Sequence, residues 1–464
     1  MPNAKPVLAC GAALLAAACS MAPPYTRPAV ATMAAFKEAS GWQTAGLDVP
    51  AQGRWWEIYH DPVLDGLETQ IEQGSPTLAA AAARYAQARG VLREAGASRL
   101  PEIDANADVE RTRLSAGRPL APGGAATYNL LTIGPSLTYE LDLFGRVRNS
   151  IGAAAADTQA SAADVAAVRL GLQAQLASAY FDMRGLDART LLLEQTVDAY
   201  SRAYNLTATR HGGGIASGID VSRARNLLAS ARAELSAVAI DRQKDEHAVA
   251  ILVGDAPAAL SIPVAAGQSV APAIPASLPS ALLERRPDIS AAERRVAAAN
   301  SRIGVARAAL FPSVTLGLSG GFETTSGPLL SAANSFWALG PISAVASLFD
   351  GGRRRAGVAI ARAQFDEAAA DYRETVLTAF REVEDDLASE RLLEHEERDQ
   401  RDAAMSADRT RDLALVRYRD GAADYLEVAT AQTAALDAER ALLEVRSQQL
   451  TTSVDTIRAL GGLY

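Results

Sequence analysis

Apolar and polar residues alternate along four stretches of this chain, and each pair of such stretches is followed by a long segment with helical period. In the first, Ile103, Ala105, Ala107 and Val109 fall on one side, and Asp104, Asn106, Asp108 and Glu110 on the other. A period of two predicts a strand, here with an acidic face. In the second, Leu131, Ile133, Leu137, Tyr139, Leu141 and Leu143 alternate with Thr132, Gly134, Ser136, Thr138, Glu140 and Asp142. The third sets Val314, Leu316, Leu318 and Phe322 against Thr315, Gly317, Ser319 and Glu323. The fourth, 335–349, is less regular and is interrupted by Pro341. These patterns predict strands over about 102–114, 129–143, 313–323 and 335–349, joined in pairs by loops over 115–128 and 324–334. Each is about the ten residues that a tilted membrane strand needs.

The helical stretches are long. Residues 146–211 contain no proline, and Val165, Val168, Leu172, Leu176, Ala179, Met183 and Leu186 recur at spacings of three and four. That is a heptad-like seam, and a helix of this length spans about 100 Å. Residues 353–419 also lack proline. Return helices are predicted over about 220–254 and 425–461, the second carrying Leu450, Val454, Ile457 and Leu460. Asp61-Pro62 opens an earlier helix, with Asp61 as N-cap and Pro62 at its first position. A second runs from about Pro76 to Arg99 and is ended by Pro101. Short and longer helices are predicted at Leu278–Arg286 and 288–310.

The order of elements occurs twice. Leu100-Pro101 and Phe311-Pro312 precede matching strands at an offset of 211 (312 − 101); Arg210 and Arg417 close matching helices at 207 (417 − 210). A period of this size marks a duplicated unit rather than a solenoid. The chain divides into 1–18, 19–60, a first repeat over 61–254, a connector over 255–280 with five prolines, and a second repeat over 281–464. Four strands cannot close a useful barrel, which takes about eight. Either the strands form an open sheet with one wet face, or several chains share one barrel.

Composition adds further constraints. Lys5 and the small apolar run from Val7 to Ala18 read as a secretory signal. Leu15 and Ala18 before Cys19 resemble a lipoprotein box, with Cys19 as the lipidated residue; the alternative is a plain signal peptide. No cysteine follows Cys19, so the chain keeps none for a disulfide. The net charge of −9 excludes a nucleic-acid binder. Beyond the signal there is no run of 18 apolar residues, so a membrane-crossing part would have to be a β-barrel. The four histidines show no metal-ligand spacing, and Gly212-Gly213-Gly214 joins two helices rather than following a strand, so neither an enzyme centre nor a phosphate loop is expected.

Several motifs together resemble the TolC-like outer-membrane efflux proteins, in their OprM/NodT lipoprotein branch. They are Cys19-Ser20, Arg27-Pro28, Trp55-Trp56, Tyr139-Glu140-Leu141-Asp142-Leu143-Phe144-Gly145, Glu284-Arg285-Arg286-Pro287-Asp288-Ile289, Leu348-Phe349-Asp350-Gly351-Gly352, and Arg417-Tyr418 with Gly421. The resemblance implies a mainly α fold with a membrane β-barrel, in which a homotrimer shares a 12-stranded barrel above an α-helical tunnel. It implies a passive channel without cofactor, apart from the lipid on Cys19. The implied partners are a periplasmic adaptor, an inner-membrane pump of the resistance-nodulation-division type and outer-membrane lipid.

The resemblance also places a periplasmic gate at the helical turns. Glu427 matches an acidic ring position, Leu426 an apolar constriction and Thr430 a position that carries Asp in the family; Asp424 lies in the same segment. Asp220 matches an Asp that hydrogen-bonds to the Tyr matched by Tyr418. Ala423 stands where a latch arginine occurs. Gly213, Gly214 and Gly421 mark the turns expected to touch the adaptor. Two other readings remain: a type I secretion or metal-efflux channel of the same fold, and a periplasmic coiled-coil scaffold without a pore.

Overall fold

The computed structural model describes residues 20–30, 33, 35–38, 53–117, 126–265, 267, 269–272, 274 and 285–462. Cys19 and most of the expected helix over 278–286 lie outside the described residues. The helices are α1 (Pro62–Gly74), α2 (Pro76–Ala97), α3 (Arg146–Gly212), α4 (Gly218–Val253), α5 (Pro287–Ala308), α6 (Arg353–Arg419) and α7 (Tyr425–Ala459). The strands are β1 (Glu102–Leu114), β2 (Ala126–Leu141), β3 (Ser313–Thr324) and β4 (Ser335–Val345). Both α3 and α6 run for 67 residues. No described helix is apolar enough to cross a membrane.

The chain folds as two compact units, and they are not the two repeats. The first takes Met1–Ala29, Arg84–Ala162 and Ala291–Arg373; the second takes Val30–Ala83, Ala163–Ser290 and Glu374–Tyr464. Each repeat contributes its strands to the first unit and most of its helical hairpin to the second. The compact units differ from the sequence repeats because β2 pairs with β3, which joins the two halves edge to edge.

In the first unit one antiparallel sheet runs β1-β2-β3-β4. Its registers set Ile103 opposite Leu137, Leu137 opposite Leu318, and Leu318 opposite Leu339. Apolar positions therefore share one face across all four strands, and Asp104, Ser136 and Ser319 share the other. Gly134 and Gly321 let β2 and β3 approach; a Cβ on Gly134 would lie 1.9 Å from the Gly320 carbonyl oxygen. β4 ends at Val345, earlier than the alternation to 349 predicts, and passes through Pro341 beside a register shift between Leu316 and Leu318. Where β2 leads into α3, Asp142 accepts from the Val147 and Arg148 amides, and Glu140 pairs with Arg146. The segment after Cys19 is pinned here too. Ser20 donates to Asn149, Tyr25 to Glu293, and Asn300 to the Pro23 carbonyl.

In the second unit Asp61 caps α1 by accepting from the Val63 and Leu64 amides. Leu64, Leu67, Glu68 and Ile71 form its buried face. Leu172, Leu176 and Met183 of the α3 seam are buried, as are Leu450, Val454, Ile457 and Leu460 at the end of α7. Two arginine centres fasten the connector and the segment after it to the helices. Asp187, fully buried, accepts from Arg184 (2.8 Å) and Arg242 (2.6 Å), and these arginines hold the Pro263 and Ile262 carbonyls of the connector. Arg286 makes a two-point bond to Asp288, pairs with Glu382 at 2.7 Å, and donates to the Ala459 carbonyl. The Arg-Arg-Pro-Asp motif is thus a clamp between the middle of α6 and the end of α7.

Candidate channel gate at the helical turns

The two hairpins of the second unit end in turns built to one plan. In the first, the Ile215 amide donates to Arg210 and the Gly214 amide to His211; in the second, Ala422 donates to Arg417 and Gly421 to Tyr418. This is the Schellman pattern, which needs a left-handed residue. Gly214 (φ 76°) and Gly421 (φ 80°) supply it. Ser217 then caps α4 by accepting from the Asp220 amide, and Asp424 caps α7 by accepting from the Glu427 amide. Every pair is related by the offset of 207.

The side chains break this symmetry. Asp220 returns its carboxylate to the Ser217 amide and hydroxyl, closing a capping box. Glu427 does not; it pairs with Arg417 at 3.0 Å. Both groups of that pair are about half exposed, so it is worth at most about 1 kcal/mol.

The expected Asp220–Tyr418 bond is not made. Asp220 is occupied by its own cap and by Arg223 at 3.8 Å. Tyr418, buried, donates instead to Thr207 Oγ1 at 3.2 Å. Arg210 lies over the Tyr418 ring, 4.7 Å from its centroid, and donates to the Tyr418 carbonyl. The cation–π contact and the hydrogen bond both join the first repeat to the second. Beneath them Tyr418 meets Tyr425 edge to face at 5.5 Å, among Ala203, Ala224, Ala414, Val428 and Ala431. Burial, then Tyr418, Tyr200 and Asp220, push the Tyr425 phenol up to about 12.

The remaining expected residues are on the surface of this cluster. Leu426 is 47% exposed, and Thr430 turns its hydroxyl back to the Leu426 carbonyl at 2.9 Å. Gly213 donates to the Thr209 carbonyl at 3.1 Å. The sequence reading found both turns but missed Arg210, Thr207 and Arg417 as fastening groups. The pairing of Arg210 with Arg417 by the repeat offset was the available pointer to the two arginines.

Comparison with known proteins places these features in a family. The family described as outer membrane efflux protein matches residues 67–255 and 278–462, once per repeat. Outer membrane protein OprJ of Pseudomonas aeruginosa is 35% identical over 99% of this chain and 96% of its own length. The toluene efflux pump outer membrane protein TtgC of Pseudomonas putida is 33% identical over 97% of this chain and 94% of its own. The solved outer-membrane channel OprN superposes with a TM-score of 0.89 at 28% identity, over 96% of this chain and 99% of that one. With both repeats matched and such relatives aligned almost end to end, the chain belongs to the outer membrane efflux protein family, as a channel component of an efflux system and not an enzyme.

Proposed function

We propose that three copies of this chain form the exit duct of a tripartite efflux system. Their strands complete one 12-stranded barrel, and their hairpins form a tunnel whose free end is closed by the two turns. A periplasmic adaptor meets the turns around Gly213, Gly214 and Gly421, and an inner-membrane pump of the resistance-nodulation-division type delivers the cargo. The cargo class is small molecules such as drugs and solvents, the kinds named for the antibiotic pump relative ArpC and the toluene pump relative TtgC. Cys19 carries the lipid anchor. Ser20 is tied to Asn149 just past the β2–α3 junction, which suits an anchor at the base of the barrel.

The observation that carries the gate is the cross-repeat fastening of Tyr418 by Arg210 and Thr207. These bonds hold the hairpins together at their tips, and an opening motion has to break them. Leu426 and the Glu427–Arg417 pair line the same end. A hydrogen bond of this type contributes about 0.5–1.5 kcal/mol, roughly a two- to tenfold change in the ratio of open to closed states. Arg210→Ala, Tyr418→Phe and Glu427→Ala channels in planar bilayers are expected to conduct more than wild type. Conductance unchanged in all three would remove the gate from these turns.

A further inference from the structure

Every helix that adjoins the sheet meets it at one end. α2 leads into β1, β2 into α3, α5 into β3 and β4 into α6. The registers bring these junctions level: Glu102 lies opposite Thr138, Leu141 opposite Val314, and Ser313 opposite Val345. Both long helices open there on one basic motif, Arg146-Val147-Arg148 and Arg353-Arg354-Arg355, offset by 207 (353 − 146). In the first repeat the strand end neutralises the arginines. Glu140 makes a two-point bond to Arg146 at 2.7 and 2.5 Å, and Asp142 pairs with Arg148 at 3.0 Å. The second repeat lacks these acids: the offset of 205 (349 − 144) carries Glu140 to Val345 and Asp142 to Ser347. Arg353 and Arg355 are exposed, and neither makes a salt bridge or a side-chain hydrogen bond among the described residues. Asp350 is already engaged. It accepts from the Gly352 and Arg354 amides at 2.9 and 3.2 Å and lies 3.7 Å from the Arg354 guanidinium. The helix end is therefore capped, and the unanswered charge is that of the two arginine side chains.

We propose that Arg353 and Arg355 bind the phosphates of anionic phospholipid headgroups in the periplasmic leaflet of the outer membrane. Those phosphates stand in for the carboxylates that the first repeat supplies from its own strand. A planar guanidinium donates to phosphate through two bonds, as Arg146 does to Glu140. The order of residues fits a passage out of a bilayer. From Ser335 to Phe349 no side chain is charged, and the arginines follow at once. Cations placed just beyond an apolar stretch sit at the headgroup level. The anchor segment lies at the same level. Ser20, next to Cys19, donates to Asn149 beside Arg148, and Arg307 at the end of α5 holds the Met21 carbonyl. The inference rests on the proposed barrel and anchor, and the measurements below separate it from them.

The purified wild-type trimer in nonionic detergent is titrated with phosphatidylglycerol or phosphatidylcholine, and bound lipid is counted by native mass spectrometry. Phosphatidylglycerol is expected to bind at the lower concentration. Near a surface each arginine is worth about a fivefold change, so Arg353→Gln/Arg355→Gln should weaken phosphatidylglycerol by roughly tenfold or more and leave phosphatidylcholine unchanged. Val345→Glu/Ser347→Asp, which restores the counter-charges of the first repeat, should weaken it similarly while the trimer persists. Phosphatidylglycerol bound equally by wild type and the glutamine variant overturns the proposal. So does its displacement by an equal concentration of inorganic phosphate, which would mark a site for the free ion. A glutamine variant that falls to monomers in lipid-free detergent also overturns it, since a carboxylate of a second copy would then be the partner. Wild type that conducts in planar bilayers but shows no preference for phosphatidylglycerol loses the lipid site alone; wild type that neither conducts nor forms trimers loses the barrel reading as well.

Discussion

Single residues show where this chain departs from an economical core. Glu68 occupies a core position of α1, with no exposure and with neither carboxylate oxygen bonded. Burial, with Asp65 and Glu72 nearby, holds its pKa well above the usual carboxylate range. The fold therefore favours its protonated form over the ionised one, relative to the unfolded chain. Its contribution is fully present at low pH and is lost as pH rises through the raised value. Glu68→Leu is expected to stabilise the protein at pH 8 by about 1–3 kcal/mol, the cost of an unbonded buried polar group. Thermal unfolding at pH 5 and pH 8 tests this; a variant less stable than wild type at pH 8 contradicts it. The sequence placed position 68 on a helix, but only packing showed that this face is the buried one.

Among the elements, α6 and α7 carry a second proton-linked feature. Asp386 and Glu390 are one turn apart on α6 and face the end of α7. Burial first, then Asp455, raises Asp386 to about 7, with Glu382 and Asp385 adding to the shift and Arg458 opposing it. Burial and Asp386 raise Glu390 to about 7, although Glu390 accepts a 2.6 Å bond from Thr456. Both folded values lie above the unfolded ones, so the helical unit loses stability as pH rises through about 7. Wild type should melt at a higher temperature at pH 6 than at pH 8, and Asp386→Asn/Glu390→Gln should flatten the difference. Circular dichroism melts that show no such slope in wild type would refute it. At this scale the sequence was most legible. Proline-free stretches and Asp61-Pro62 marked helices to within a few residues, because capping and φ restriction are local. The early end of β4 was not legible, because a strand ends where its partner β3 stops pairing.

For the whole molecule the duplication is the organising fact, yet the compact units cut across it. Sheet pairing gathers strands from both repeats, and helix packing gathers hairpins from both. The proposed anchor acts at this scale. If Cys19 is lipidated, globomycin should cause the unprocessed precursor to accumulate in the producing cell, and Cys19→Ala should remove the response. A precursor that is processed normally under globomycin would leave a plain signal peptide. Resemblance to the efflux family was legible in the motifs taken together, since the glycine turns alone occur in many helical hairpins, and the match of both repeats established it.

The sequence by itself determined what depends on neighbours along the chain: the alternating faces, the helix starts and stops, the Schellman turns at Gly214 and Gly421, and the repeat. Tertiary structure alone decided which side chains meet. It replaced Asp220 with Thr207 and Arg210 as the partners of Tyr418, because the capping box at Ser217 already occupies the Asp220 carboxylate. Two repeats with the same backbone turn can bond differently, since hydrogen-bond partners are set by what approaches from the other hairpin, about 200 residues away.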